Sequence, residues 1–299
     1  MSDRPSERGG DRAGDRPNGR SGDRDGSEGP TAFVIGHPIA HSRSPVIHRH
    51  WLRERGARGD YRAVDVAPDA LGAWLDALDP ETTPGGNVTM PHKEAVARWL
   101  GPARLDATAR AVGAVNTLWR EGGEWRGGST DGEGLLADLD ARAPEWRRGG
   151  RALVIGAGGA ARSIVHALRG AGLAVTVANR TLARAQELAA EFGARAAPLA
   201  EAAGLVRDAD LVVNTAAPGA GASGAPHVDP ALYRPGQIAY DIVYAPLDTP
   251  FLVAARGGGA KGLDGLGMLL HQAVPGFERW FGTRPTVTAT LREAVERTL

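Results

Sequence analysis

The sequence contains no cysteine. That absence removes disulfides, thiolate nucleophiles and cysteine-ligated metals together, and it leaves the compartment open without contradicting a cytoplasm. There is no excess charge of either sign, because 35 Lys and Arg balance 35 Asp and Glu. No overall field then draws the chain to nucleic acid or to an anionic membrane, and neither is expected as a partner. No run of about 18 or more apolar residues could span a bilayer. The first stretch lacks the apolar core of a secretory signal, so a cytoplasmic protein is expected. No internal repeat is evident. At 299 residues the chain is long enough for two domains and a substantial buried core.

Residues 1–30 carry almost no apolar side chain, with Arg4, Arg8, Arg12, Arg16, Arg20 and Arg24 set among Asp, Glu, Gly and Pro. A helix with that spacing would stack like charges on one face, and glycine and proline deny it in any case. A disordered tail is expected, since nothing in it offsets the entropy of ordering. From Thr31 onward, strand-like and helix-like segments alternate. Strands are read at 31–36, 61–66 and 113–118, with a short extended piece at 87–90. Helices are read at 46–55 and 71–78, and a third, with Pro91 in its first turn, runs to Leu100. The pattern predicts a small α/β domain over residues 31–132. A linking helix is expected near Gly134, then a second domain over residues 133–267. Helices starting near Met268 are expected to return to the first domain, over residues 268–299.

Within the second domain, Leu153-Val154-Ile155-Gly156-Ala157-Gly158-Gly159-Ala160-Ala161 passes from an apolar strand into glycines and on into a helix-like segment. Gly156 suits a tight turn, Gly158 lets backbone approach a pyrophosphate, and Ala161 fills the third small position. Ala157, Gly159 and Ala160 complete a cradle at a helix N-terminus, where free N–H groups favour an anion. A plain strand-to-helix turn is the alternative. The following strand at 173–177 argues for a dinucleotide site within a βαβ unit. That strand is not followed by the Asp or Glu that would hold an unphosphorylated ribose. Asn179, Arg180 and Thr181 stand there instead, with Arg184 four residues after Arg180. Two guanidinium groups so spaced on one helix face suit a 2′-phosphate, so NADP is expected over NAD.

Seven short segments in order resemble those of the shikimate dehydrogenase family. They are 35–45 with Ser42 and Ser44, Asn87-Val88-Thr89-Met90-Pro91-His92-Lys93-Glu94, 113–118 with Asn116, Ser129-Thr130-Asp131-Gly132, the glycine turn, 241–244, and 265–272. The resemblance covers about residues 33–282. It implies an α/β protein whose N-terminal substrate domain and Rossmann-like NADP-binding domain flank a cleft. It implies catalysis by Lys93 and Asp131 and substrate contacts from Ser42, Ser44, Thr89, Asn116, Tyr244 and Gln272. Ile242 and Gly265 join the cofactor set. The expected reaction is the NADP-dependent interconversion of 3-dehydroshikimate and shikimate in aromatic amino-acid biosynthesis, by a monomer or homodimer. A quinate or aminoshikimate dehydrogenase and a non-catalytic NADP-binding sensor are the alternatives. Ser129 stands where the family commonly has asparagine, His92 where it has an aromatic, and Ala216-Ala217-Pro218-Gly219 where it is rich in threonine.

The residues also read chemically. Oxidising a secondary alcohol removes a proton from oxygen, which calls for an acceptor within hydrogen-bond reach, and Lys93 is the candidate. Asp131 would hold it in register with the substrate hydroxyl. Ser42 and Ser44 could reach one carboxylate from a proline-bounded loop. Asn116 is costly to bury in an apolar strand without partners, which favours a ligand-facing role. Pro38 breaks the spacing of His37 and His41, and His48 and His50 would point to different helix faces, so no metal site is expected.

Overall fold

The computed structural model describes residues 29–79, 82–216 and 228–299. Most of the expected tail, and Ala217, Pro218 and Gly219 of the threonine-poor loop, lie outside the described residues.

Two sheets are built in sequence. The first contains β1 (Thr31–Gly36), β2 (Asp60–Asp65), β3 (Gly85–Val88), β4 (Thr117–Glu121) and β5 (Glu124–Gly128), in the order β2-β1-β3-β4-β5. β1 pairs in parallel with β2 and β3, and β4 and β5 add on in antiparallel fashion. β1 is buried from Ala32 to Gly36, as a strand covered on both faces must be. The β4–β5 hairpin has Glu121 opposite Glu124, leaving Gly122 and Gly123 as a two-residue loop. Both have positive φ, +59° and +83°, which this hairpin turn demands.

The strand expected at 113–118 is corrected. Asp106 caps a helix over Ala107–Val112 by accepting the Ala109 N–H at 2.6 Å, and Gly113 ends it in the left-handed conformation. β4 starts only at Thr117. The hairpin partner β5 was not read from the sequence.

The second sheet is wholly parallel, in the order β11-β10-β9-β6-β7-β8. Its strands are β6 (Arg151–Ile155), β7 (Ala174–Asn179), β8 (Arg195–Pro198), β9 (Leu211–Asn214), β10 (Ile238–Asp241) and β11 (Lys261–Leu263). The order reverses between β6 and β9, and doubly wound sheets bind ligands outside the strand ends at such a point.

Two helices join the sheets, Asp131–Arg142 and Leu266–Phe281. They cross closely because glycine stands at the contact. A Cβ on Gly134 would lie 2.8 Å from the Met268 carbonyl and from Gln272, and one on Gly267 would lie 2.0 Å from Asp138. Asp138 is buried there and accepts from the Tyr240 hydroxyl at 2.7 Å and from Arg142 at 3.2 Å. Arg142 and Arg292 both reach Asp264, at 3.0 and 2.8 Å. The final helix, Ala289–Glu296, packs Leu291 and Val295 in the cluster that holds Ile47, Trp51 and Phe277.

Candidate active site

Lys93 is the first residue of the helix Lys93–Leu100. Pro91 does not sit in that helix, contrary to expectation. The Thr89 carbonyl accepts the His92 N–H at 2.9 Å, so the chain turns through Met90 and Pro91 before the helix begins. His92 is buried, with a ring nitrogen 2.7 Å from the Val66 carbonyl, which anchors the turn. Asp131 is likewise a first helical residue, three positions before the expected start at Gly134.

The two side chains meet. Lys93 Nζ lies 2.6 Å from Asp131 Oδ2, and the carboxylate is buried while the amine is partly exposed. The other carboxylate oxygen accepts from Asn116 Nδ2 at 2.8 Å, and Asn116 Oδ1 accepts the Thr130 N–H at 2.9 Å. Thr130 in turn donates its hydroxyl to the Gln272 carbonyl at 2.9 Å. Four segments far apart in sequence thus fix one buried acid. Removing one partner from such an arrangement leaves an uncompensated charge.

Lys93 opens onto a cavity that Ser42, Ser44, Thr89, Asn116, Tyr244 and Gln272 also line. All the expected substrate contacts therefore share one space. Burial raises the Tyr244 phenol above its ordinary value, with Arg43 acting the other way, so it stays a neutral donor and acceptor. Among the lining residues missed in the sequence, Arg43 and Asn87 bear on the chemistry. Arg43 lies between the serines, has a buried Nε without a hydrogen-bond partner, and forms no ion pair among the described residues. Its charge beside two hydroxyls was a legible signal. Asn87 was the other; like Asn116, it is an amide in an otherwise apolar stretch.

The glycine turn lies at the switch point. Gly156 has φ +109°, and a Cβ there would meet Thr215 Oγ1 at 2.4 Å, so glycine is required twice over. Nothing lies within 4 Å of a Cβ placed on Gly158 or Gly159, which leaves their backbone open to a ligand. The helix Gly159–Gly170 starts at Gly158 without a side-chain cap, so its first N–H groups are free for an anion. Ala157 and Ala160 flank the turn, and Ala161 is fully buried.

Arg180 and Arg184 do not share a helix face. The helix Leu182–Phe192 begins after Thr181, which is its N-cap, so Arg180 lies in the turn and only Arg184 is helical. Asn179 closes that turn by donating to the Thr181 carbonyl at 2.9 Å. Both arginines are exposed and neither has an ion-pair partner among the described residues. Gly265 packs against Ile242 so tightly that a Cβ would lie 2.1 Å from the Ile242 carbonyl. Buried Asp241 supports that segment by accepting the Val243 N–H at 3.1 Å and the Thr249 hydroxyl at 2.7 Å; burial raises its carboxyl above the usual range.

The glycine-turn helix touches the helices Asp131–Arg142 and Ala107–Val112. A Cβ on Gly132 would sit 2.6 Å from the Ser163 carbonyl, and Arg162 donates to the Val112 carbonyl at 2.9 Å. Among the described residues no group of three His, Asp or Glu side chains converges as a metal site. His37 is engaged by Asp65 at 2.6 Å.

Known families match the same regions. The shikimate dehydrogenase substrate binding domain matches residues 34–118, shikimate / quinate 5-dehydrogenase 142–228, and the shikimate 5′-dehydrogenase C-terminal domain 265–296. The shikimate dehydrogenase (NADP+) of Brucella abortus is 53% identical over 90% of this chain and 94% of its own length. That of Mesorhizobium japonicum is 52% identical over 88% and 95%. The crystal structure of the Thermus thermophilus shikimate 5-dehydrogenase in complex with NADP(H) and shikimate superposes with a TM-score of 0.81, at 39% identity, covering 90% of this chain and 100% of that one. With matched segments running through both sheets and the site between them, the chain belongs to the shikimate dehydrogenase (NADP+) family.

Proposed function

We propose that the protein catalyses the reversible, NADP-dependent reduction of 3-dehydroshikimate to shikimate in the cytoplasm, with Lys93 and Asp131 as its catalytic residues. Residues 31–132 and 268–299 form the substrate side and 133–267 the dinucleotide side. The observation that carries this reading is the Lys93–Asp131 pair at 2.6 Å, opening onto a cavity lined by hydroxyls and amides. The glycine turn would hold NADPH, with Arg180 and Arg184 taking its 2′-phosphate, and the bound cofactor would supply hydride to the ketone carbon.

The chain's own residues handle the proton. Lys93 Nζ holds it for the ketone oxygen and releases it as that oxygen gains charge; in the oxidative direction the neutral amine takes it back. Asp131 fixes the amine in place, while Asn116 keeps the carboxylate from turning away. Ser42 and Ser44 donate to the substrate carboxylate, with Arg43 adding a compensating charge. Thr89, Tyr244 and Gln272 meet the ring hydroxyls.

Initial rates with purified protein test the reading, comparing shikimate and quinate, each with NADP+ and NAD+. The best kcat/KM is expected for shikimate with NADP+. Faster turnover of quinate would move the assignment to that substrate, and no turnover with any pair would leave a nucleotide-binding sensor.

A further inference from the structure

Behind the substrate cavity lies a second layer that the reaction as described does not use. Tyr61, on β2, is fully buried, and its hydroxyl lies 2.6 Å from Asn87 Oδ1. The Asn87 amide nitrogen lies 3.1 Å from the Asn116 carbonyl and 3.3 Å from Thr117 Oγ1. A carbonyl only accepts, so the amide must direct its nitrogen there and its oxygen toward Tyr61. Both amide protons are then engaged. Oδ1 takes the Tyr61 proton, on a side chain that lines the cavity.

The phenol is itself held in place. His48 stacks on the Tyr61 ring at 4.0 Å with an interplanar angle of 12°, and Trp280 and Phe277 enclose the pair. His48 is fully buried and neither ring nitrogen has a hydrogen-bond partner of good geometry; Asn87 is the polar side chain acting on it.

We propose that Tyr61 is a positioning residue that acts through Asn87: its hydroxyl locks the Asn87 amide so that the cavity presents an acceptor, selecting a substrate hydroxyl as donor at that point of the ring. The inference rests on the proposed polyhydroxylated substrate. Without the phenolic proton, Oδ1 loses its fixed donor while the Asn116 carbonyl and Thr117 Oγ1 still hold the amide nitrogen, so the acceptor is no longer fixed in place where the substrate hydroxyl must meet it.

Tyr61→Phe removes only that oxygen. Steady-state kinetics of the variant should show KM for shikimate raised about 10-fold, with KM for NADP+ unchanged and kcat within about 2-fold. In an Asn87→Ala background the same substitution should add nothing, because the residue it acts through is gone. Among singly deoxygenated shikimates, one should be discriminated against by the parent enzyme and not by Tyr61→Phe. Equal effects on both KM values, or full additivity with Asn87→Ala, would reduce Tyr61 to a general packing role and overturn the inference. Failure of the parent enzyme to turn over shikimate would instead overturn the proposed function, so the two failures are separable.

Discussion

Acidification should destabilise this protein through His48. Burial lowers the His48 pKa from 6.5 to about 3, opposed only by the Asn87 side chain. In the folded state the ring therefore stays neutral through the mildly acidic range, whereas in the unfolded chain it takes up a proton near its ordinary value. Between those two values the unfolded state binds more protons, so stability falls as pH falls. The contribution is complete above about pH 6.5 and exhausted near about pH 3. Each pH unit inside the window is worth about 1.4 kcal/mol, so moving from about pH 7 to about pH 5 should remove about 2 kcal/mol. Burial lowers His271 as well, in the same direction, so a single curve would not isolate His48. Urea unfolding of the parent protein and of His48→Phe at both pH values does isolate it. Any pH-independent penalty of the larger ring cancels in the difference between the two pH values. The parent should lose about 2 kcal/mol more than the variant. Parallel losses would refute a buried, neutral His48.

Replacing Arg180 and Arg184 with alanine should raise KM for NADP+ about 10-fold per arginine and leave KM for NAD+ unchanged, with the effect shrinking as salt is added. Initial rates at two ionic strengths check this, and an equal change for both nucleotides would contradict it. Gly265→Ala places a methyl group 2.1 Å from the Ile242 carbonyl, so the helix Leu266–Phe281 must shift. A loss of about 1–3 kcal/mol is expected in denaturant unfolding, together with weaker NADP+ binding by fluorescence titration.

Much of the fold was legible because it is written locally. The apolar runs of β1, β6 and β7 and the glycine break after Ile155 need only nearest neighbours to be read. β4 and β5 were not read as a pair, because Trp119-Arg120-Glu121 and Glu124-Trp125-Arg126 hide their buried faces among charges. The apolar look of residues 113–118 misled for a different reason: Gly113 ends a short helix, and Asn116 is held by hydrogen bonds to Val88 and Gly128 outside the strand proper. Arg180 could not be placed without knowing that Thr181 caps the next helix. Long-range contacts were the least legible. Nothing near Gly134 in sequence announces Gln272, and nothing near Tyr61 announces Asn87. Lys93 and Asp131 were singled out by family likeness, while their approach to 2.6 Å depends on the three-dimensional fold.

The chemistry assigned to that pair is open to direct measurement. Lys93→Ala, assayed for shikimate oxidation at saturating NADP+ with shikimate affinity determined in parallel by calorimetry, should lose about 10²–10⁴-fold in kcat while binding shikimate within several-fold of the parent. A kcat within about 10-fold of the parent would mean that the proton is handled elsewhere, and the role given to Lys93 would fall.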